Sequence, residues 1–323
     1  MAGGLVGGVL LLATTGCGGD SMSTLSPESH SESVITQIFW VTFVGSAIGF
    51  GVIVLLLFLG WWRRDTPTLP GGGDEKTATG VVIGLGVALP IVLLVALFVY
   101  SDLFALDSIA APAKGSTQLT VDVTGRQFWW DVRYPASGAV TANEIHIPVH
   151  TRVDIVARTA DVIHSFWIPR LDKKMDMIPG QANHLLLVAD KPGVYPGHCA
   201  EFCGLQHAHM AVEVIAEPRA KFEQWLAHNA QAAAGAAIPQ FAKGGCADCH
   251  QIRGTDAHGT VGPDLTHFAS RATIAALRIP NDPSELRHWL RDPQDVKPGN
   301  KMPNIALSDS DWNALQRYLE TLR

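Results

Sequence analysis

The sequence predicts a multidomain membrane protein: a two-helix transmembrane hairpin, then an all-β domain, then a small all-α domain. Three observations carry this. Two runs, Val34 to Trp62 and Thr77 to Ser101, contain no charged residue, and each exceeds the ~20 residues a helix needs to cross the hydrocarbon core. From about residue 116 to 217 the texture changes to short β-rich segments broken by Pro and Gly. Past a small-residue linker, Ala232 to Ala237, stands Cys246-Ala247-Asp248-Cys249-His250, followed by helical periodicity.

Composition bounds the answer. The chain has 323 residues, 47% hydrophobic and 17% charged, with a net charge of −6. That is room for two modest soluble domains beside the membrane segments. The negative balance argues against nucleic acid as a partner, because a phosphate-binding surface needs a basic excess. The boundaries read from the sequence are 1–33, 34–104, 105–230 and 231–323. The five cysteines are Cys17, Cys199, Cys203, Cys246 and Cys249, and an odd count normally implies a free thiol or an intermolecular bridge.

Residues 1–16 are small and apolar and run up to Cys17. This looks like a bacterial lipoprotein signal, cut before a cysteine that then carries lipid. Thr14 stands where the pattern usually has Leu, and no basic residue precedes the apolar run as a secretory signal should have. The alternative is a flexible apolar leader with a buried cysteine. Residues 18–33 are rich in Gly, Ser and acidic residues and predict a disordered tether.

In the two spans, Trp40, Trp61, Trp62 and Tyr100 lie toward the ends, as interfacial aromatics do. Pro90 is tolerable in the second if a neighbouring helix or a local bend satisfies the freed carbonyl. No Lys or Arg precedes Arg63, whereas the connecting loop holds Arg63, Arg64 and Lys76. The positive-inside rule puts that loop in the cytoplasm, and everything after about residue 102 on the extracytoplasmic side of the membrane.

In the β domain, strands are expected at Gln118–Val123, Phe128–Tyr134, Glu144–Val149, Arg152–Arg158 and His184–Val188, giving an antiparallel sandwich. Its richest stretch is Cys-Ala-Glu-Phe-Cys-Gly-Leu-Gln-His-Ala-His-Met, residues 199–210. Cys199, Cys203, His207 and Met210 combine two thiolates, an imidazole and a thioether, a ligand set suited to copper electron-transfer sites. Two thiolates suggest a bridged pair of coppers that needs one more nitrogen, and His164 is the best candidate. A Cys199–Cys203 disulfide beside surface histidines is the plain alternative. His146, His150, His184, His198 and His209 are expected to be surface or hydrogen-bonding residues.

This string resembles the dinuclear copper (CuA) loop of subunit II of the haem–copper cytochrome c oxidases. The likeness extends through His164-Ser165-Phe166-Trp167-Ile168-Pro169, Met175-Asp176-Met177-Ile178-Pro179-Gly180 and Pro192-Gly193-Val194-Tyr195. The resemblance implies a cupredoxin-like Greek-key fold, with His164, Cys199, Glu201 (through its carbonyl), Cys203, His207 and Met210 as copper ligands. It also implies that the Glu201 side chain helps bind magnesium at the contact with subunit I. Gly125-Arg126-Gln127-Phe128-Trp129-Trp130 matches the family's aromatic segment, through which electrons reach the copper, except that Phe128 stands where Trp is common. Core packing explains such rings equally well.

In the last domain, Arg219 to Ala234 predicts a helix with Phe222, Trp225 and Leu226 on one face. Cys246-x-x-Cys249-His250 is the attachment signature of c-type haem. A zinc half-site would need a second ligand pair that no remaining cysteines supply, and a redox dithiol would not need His250. Lys297-Pro298-Gly299-Asn300-Lys301-Met302-Pro303 resembles the methionine loop of class I cytochromes c, which implies Met302 as distal ligand. Gly262-Pro263-Asp264-Leu265 matches the segment whose proline carbonyl orients the proximal His, here Pro263. Arg271 and Trp289 are candidate propionate neighbours. Ser308-x-x-Asp311 predicts the start of a last helix carrying Trp312, Leu315 and Leu319.

Hairpin, CuA domain and fused cytochrome c, in that order, resemble subunit II of a caa-type oxidase. The implied role is to take electrons from a cytochrome c or cytochrome bc complex, through haem c and CuA, into subunit I, among the other oxidase subunits of a bacterial plasma membrane. A CuA and cytochrome c subunit of a nitric oxide reductase is the alternative. A quinol oxidase subunit would lack the copper ligands, and a nitrous oxide reductase would need a longer catalytic domain. A redox sensor or copper-carrier lipoprotein fits poorly with two spans and two complete redox sites.

Overall fold

The computed structural model describes residues 21–63, 75–104 and 110–323; Cys17 and Arg64 fall outside the described residues. The chain divides into two compact units, Ser33–Ala110 and the remainder, Met1–Glu32 with Ala111–Arg323.

Both expected spans are helical and are long and apolar enough to cross a membrane: α1 is His30–Trp62, and the second runs Glu75–Leu103. Large apolar side chains such as Phe50, Leu57 and Phe98 lie exposed along them, and a helix that is apolar all round suits a lipid surround. The second helix is not uniform. An α-helical stretch, α2 (Glu75–Ile83), passes through a π-helical turn, Gly84–Ala88, into α3 (Leu89–Phe104), and the Leu89 N–H reaches back to the Gly84 carbonyl. Pro90 accounts for the wide turn. It has no N–H to donate and its ring crowds the carbonyl four residues back, so the helix opens by one residue just before it.

Residues 21–32 differ from the expected disordered tether because Glu28 finds partners on the β domain. Its carboxylate pairs with Arg170 at 2.8 Å and Lys191 at 3.0 Å. Its backbone bonds to the Arg170 carbonyl (2.9 Å) and the Asp190 N–H (3.0 Å), and the Ser29 hydroxyl donates to the Leu171 carbonyl. Composition alone does not reveal such distant partners.

The β domain has ten strands: β1 (Leu119–Arg126), β2 (Trp129–Tyr134), β3 (Ala139–Ala142), β4 (Glu144–Pro148), β5 (Val153–Thr159), β6 (His164–Trp167), β7 (Met175–Met177), β8 (Asn183–Leu187), β9 (Gly193–Cys199) and β10 (Ala211–Glu217). They form two five-stranded sheets in the orders β3-β2-β1-β5-β8 and β4-β10-β9-β6-β7. The expected strands are all present, but β1–β5 and β4–β10 pair in parallel rather than antiparallel. Alternation records which face a residue takes, not the direction of its partner strand. Strands β3, β6, β7, β9 and β10 were not among the expected segments: β3, β6 and β7 are three or four residues long and β9 is interrupted by Pro196 and Gly197, whereas β10 follows directly on the ligand loop. The core between the sheets holds Trp130, Phe166, Ile155 and Met177, each fully buried, and the Trp130 and Phe166 rings meet edge to face at 5.7 Å.

Helix α4 (Arg219–Asn229) closes one end of this core through Phe222. Trp225 stacks on His146 with centroids 3.9 Å apart. The helix stops before the expected Ala234 because the Arg253 guanidinium takes its terminal carbonyls, Asn229 at 2.6 Å and Ala230 at 3.1 Å.

The last region builds a second core around Phe241, Leu286, Trp312, Leu315 and Leu319. Its helices are α5 (Pro239–Lys243), α6 (Cys246–Cys249), α7 (Pro283–Arg291), α8 (Pro293–Val296) and α9 (Asp309–Thr321). A two-residue ribbon, β11 (Thr273–Ile274) with β12 (Ile279–Pro280), interrupts the all-helical expectation. Ser308 caps α9 by accepting the Asp311 N–H at 3.2 Å, the contact its spacing predicts.

Gly197 on β9 has no room for a side chain, since a Cβ there would strike the Trp167 carbonyl and Ile168. Gly197→Ala should destabilise the β domain by about 1–3 kcal/mol, as overpacking does. Thermal unfolding of the detergent-solubilised chain measures this; an unchanged melting temperature would show that β6 and β9 can separate without cost.

Candidate metal centre

Backbone pairing assembles the first site. His164 opens β6 and Cys199 closes β9, and the register sets Phe166 opposite Cys199. Two further bonds bind the loop to its base: Ala200 N–H to the Ser165 carbonyl (2.9 Å) and Cys199 N–H to the Met210 carbonyl (3.0 Å). Between them the chain turns tightly at Gly204, whose φ of +126° suits glycine, and a 3-10 turn at His207–His209 points His207 inward.

The donor atoms converge on two sulfurs. Cys199 Sγ and Cys203 Sγ are unbonded thiols 3.9 Å apart, which removes the disulfide reading. Around them lie His164 Nδ1, 3.7 Å from Cys199 Sγ, and the Glu201 carbonyl, 3.2 Å from the same sulfur. His207 Nδ1 and Met210 Sδ each lie 3.8 Å from Cys203 Sγ. All six residues singled out from the sequence are therefore gathered at one rim of the β domain. His164, Cys199 and Cys203 alone place ligand atoms within 4.8 Å of one another.

This set fits soft metal ions. A thiolate–metal bond is about 2.3 Å, so an ion can touch both sulfurs at their present separation. The hydrogen bond between the two thiols, helped by the His164 imidazole, holds the Cys199 thiol well below the usual thiol range, and the same bond, with burial, pushes Cys203 up. With a metal bound, both Cys199 and Cys203 would be held as thiolates, which would remove this conflict.

Asp161, which the sequence reading missed, fixes the His164 tautomer. Its Oδ1 lies 2.8 Å from His164 Nε2. A carboxylate accepts, so Nε2 carries the hydrogen and Nδ1 keeps its lone pair for the sulfur cluster. Burial acts to lower the His164 pKa, but the bonds to Asp161 and Cys199 outweigh it and the net shift is upward. Asp161 Oδ2 accepts the Gln127 N–H at 2.8 Å, and the Gln127 side chain donates to the Cys203 carbonyl at 2.6 Å. The available signal was position: Asp161 precedes a ligand-type histidine by three residues in a tight turn.

The other histidines are placed as expected of non-ligands. His146 bonds Glu217 at 3.2 Å, His184 bonds Asp154 at 3.0 Å, and His209 bonds Gln206 at 2.7 Å. Of the aromatic segment, Trp130 is core and Phe128 packs near Gly204, whereas Trp129 is half-exposed under the Arg126 guanidinium.

A second site is a cavity of about 500 Å3 lined by Cys246, Cys249, His250, Pro263, Arg271 and Met302. His250 Nδ1 lies 2.8 Å from the Pro263 carbonyl. The carbonyl can only accept, so Nδ1 carries the hydrogen and Nε2 is left as the free donor. Burial lowers the His250 pKa, which keeps the ring neutral and ready for a metal. Gly262 lets this happen, since a Cβ there would come within 2.5 Å of His250 Cε1. Two thiols, a neutral imidazole and a facing thioether around an apolar cavity fit a covalently attached haem. Arg271 reaches the cavity wall with its Nε unpartnered.

Residues 137–217 match the family described as cytochrome C oxidase subunit II, periplasmic domain, and residues 232–323 match cytochrome c. Two relatives span nearly the whole chain. Cytochrome c oxidase subunit 2 of Alkalihalophilus pseudofirmus is 34% identical, over 97% of this chain and 95% of the relative. That of Bacillus subtilis is 30% identical over 98% and 97%. The first of these domains implies CuA copper, and the second implies haem c.

Asp161→Ala should weaken copper binding by about 10–100-fold, the usual effect of losing a partner that orients a ligand histidine. Chelator competition on the copper-loaded chain measures this, and unchanged affinity would show that Asp161 does not orient the ring.

Proposed function

Because the chain belongs to the cytochrome c oxidase subunit 2 family, we propose that it is the electron-input subunit of a proton-translocating haem–copper oxidase, passing electrons from haem c to CuA and on to subunit I. The observation that carries this reading is the convergence of six donor groups on Cys199 and Cys203, in one chain with a Cys-x-x-Cys-His cavity.

In this reading Cys199 and Cys203 would be the thiolate ligands of a copper pair. His164 and His207 supply the nitrogens, and Met210 and the Glu201 carbonyl complete the set. Cys246 and Cys249 would attach the haem, and His250, through Nε2, and Met302 would hold its iron. When bound, these groups supply one-electron transfer, and a His/Met pair holds the haem at a raised potential suited to a carrier. The chain's own residues do the rest. Asp161 and Pro263 each hold one histidine hydrogen so that the other ring nitrogen stays available. The buried Met210 and Trp130 keep water from the base of the copper site.

The two apolar helices make the chain a multi-pass protein of the bacterial plasma membrane, with Arg63, Arg64 and Lys76 on the cytoplasmic side and both soluble regions outside. Cys17 carries lipid. The exposed Glu201 carboxylate helps hold magnesium where the copper rim meets subunit I. Electrons arrive from a cytochrome c or a cytochrome bc complex. Oxygen is favoured over nitric oxide as terminal acceptor because the relatives that match nearly end to end are named cytochrome c oxidase.

The deciding experiment is electron paramagnetic resonance with optical spectra on the haem- and copper-loaded chain. A mixed-valence copper signal beside low-spin haem bands is expected. Cys203→Ser should abolish the copper signal and spare the haem; its survival would refute the bridging role. Met302→Ala should leave the haem attached but lower its potential by on the order of 0.1 V, within the ~0.8 V that axial ligands span. An unchanged redox titration would remove Met302 from the ligand set.

A further inference from the structure

Lys297 sits where a lysine is costly. It is 2% exposed, and the only acceptors its ammonium is given among the described residues are two backbone carbonyls, Phe128 at 2.8 Å and Ala275 at 3.1 Å. Burial pushes it down to about 7. A buried ammonium without a carboxylate partner is costly, and its two carbonyl bonds offset part of that cost.

The two carbonyls belong to different cores. Phe128 lies in the β1–β2 turn, beside Gln127, whose side chain bonds the Cys203 carbonyl. Ala275 lies in the β11–β12 turn at the wall of the haem-type cavity. Three consecutive residues of that turn, Ala275, Ala276 and Leu277, hold φ between 56° and 61°. Left-handed backbone at three non-glycine positions is unfavourable, and it presents the Ala275 carbonyl to Lys297. The β1–β2 turn lines the same cavity through Gln127 and Phe128, so it touches both candidate centres.

Further contacts surround this point. The Gln206 side chain donates to the Pro298 carbonyl at 2.5 Å. Arg253 reaches the Gly138 carbonyl at 3.3 Å, and Lys301 approaches Asp161 at 3.7 Å. Arg271 lies close enough to Glu144 for their charges to interact.

We propose that Lys297 is a positioning residue: its side chain ties the haem-bearing region to the β1–β2 turn and so holds the two redox centres in the arrangement that transfers electrons. The inference rests on the electron-input reading above. Transfer then occurs from a docked state rather than by a swing of the haem region about the alanine-rich linker.

The test uses the complete oxidase with Lys297→Met. Electrons are injected into the haem by a light-triggered reductant, and their arrival at copper is followed optically. Interdomain transfer should slow about tenfold or more, since charge-assisted bonds are among the stronger ones, while the low-spin haem bands and the copper resonance signal stay unchanged. An unchanged rate overturns the proposal. So does a slowed rate accompanied by loss of the low-spin bands or of the copper signal, because the residue would then be acting on the ligands of a centre rather than on the docking. The wild-type rate in glycerol decides independently of whether the variant assembles: indifference to viscosity supports docking, and inverse proportionality overturns it. If electrons in the wild type never reach copper, the electron-input reading fails; if they do and Lys297→Met matches wild type, only the docking role fails.

Discussion

The metal centre depends on the pairing of β6 with β9. Neither strand holds a site alone: one brings a histidine, the other a cysteine, from positions 35 residues apart. Setting Phe166 opposite Cys199, with Ala200 bonded to Ser165, brings the imidazole to the sulfur. Once that register is fixed, the loop to β10 has only to turn tightly enough to bring back a second cysteine, a histidine and a methionine. Gly197 makes the approach possible by leaving the Trp167 carbonyl uncrowded.

The two candidate centres solve the same problem with different oxygens. His164 is held through Nε2 by a carboxylate, leaving Nδ1 to face the sulfurs; His250 is held through Nδ1 by a carbonyl, leaving Nε2 to face the cavity. A full negative charge behind one ring and a neutral dipole behind the other make the first a stronger donor. Both arrangements need a glycine where a Cβ would strike the ring, Gly125 beneath His164 and Gly262 beside His250.

Much of this was legible in the sequence, because the donor types are rare and their spacing is strict. Cys199, Cys203, His207 and Met210 lie within one turn-rich loop, so local spacing nearly determines that they meet. His164 required a long-range pairing and was reached through its resemblance to a family motif. Asp161 was not singled out, and Lys297 was noted only as the first residue of the methionine loop. A carboxylate near a histidine and a lysine before Pro-Gly are common surface features, and only burial separates them from the ordinary case. The direction of β1–β5 and β4–β10 was hidden for another reason: side-chain alternation is the same in both orientations. The tether shows the limit of composition, since the Ser-rich residues 21–32 are tied to the β domain through one glutamate with distant basic partners.

The β1–β2 turn leaves the two soluble regions less interchangeable than their separate cores suggest. Its Gln127 side chain serves the copper loop, and the neighbouring Phe128 carbonyl accepts the lysine of the other region. Change at this turn is therefore answerable to two neighbours at once. A chimera carrying a different cytochrome would inherit a carbonyl shaped for a partner it lacks, so the fused pair is expected to diversify as a unit rather than by exchange of modules.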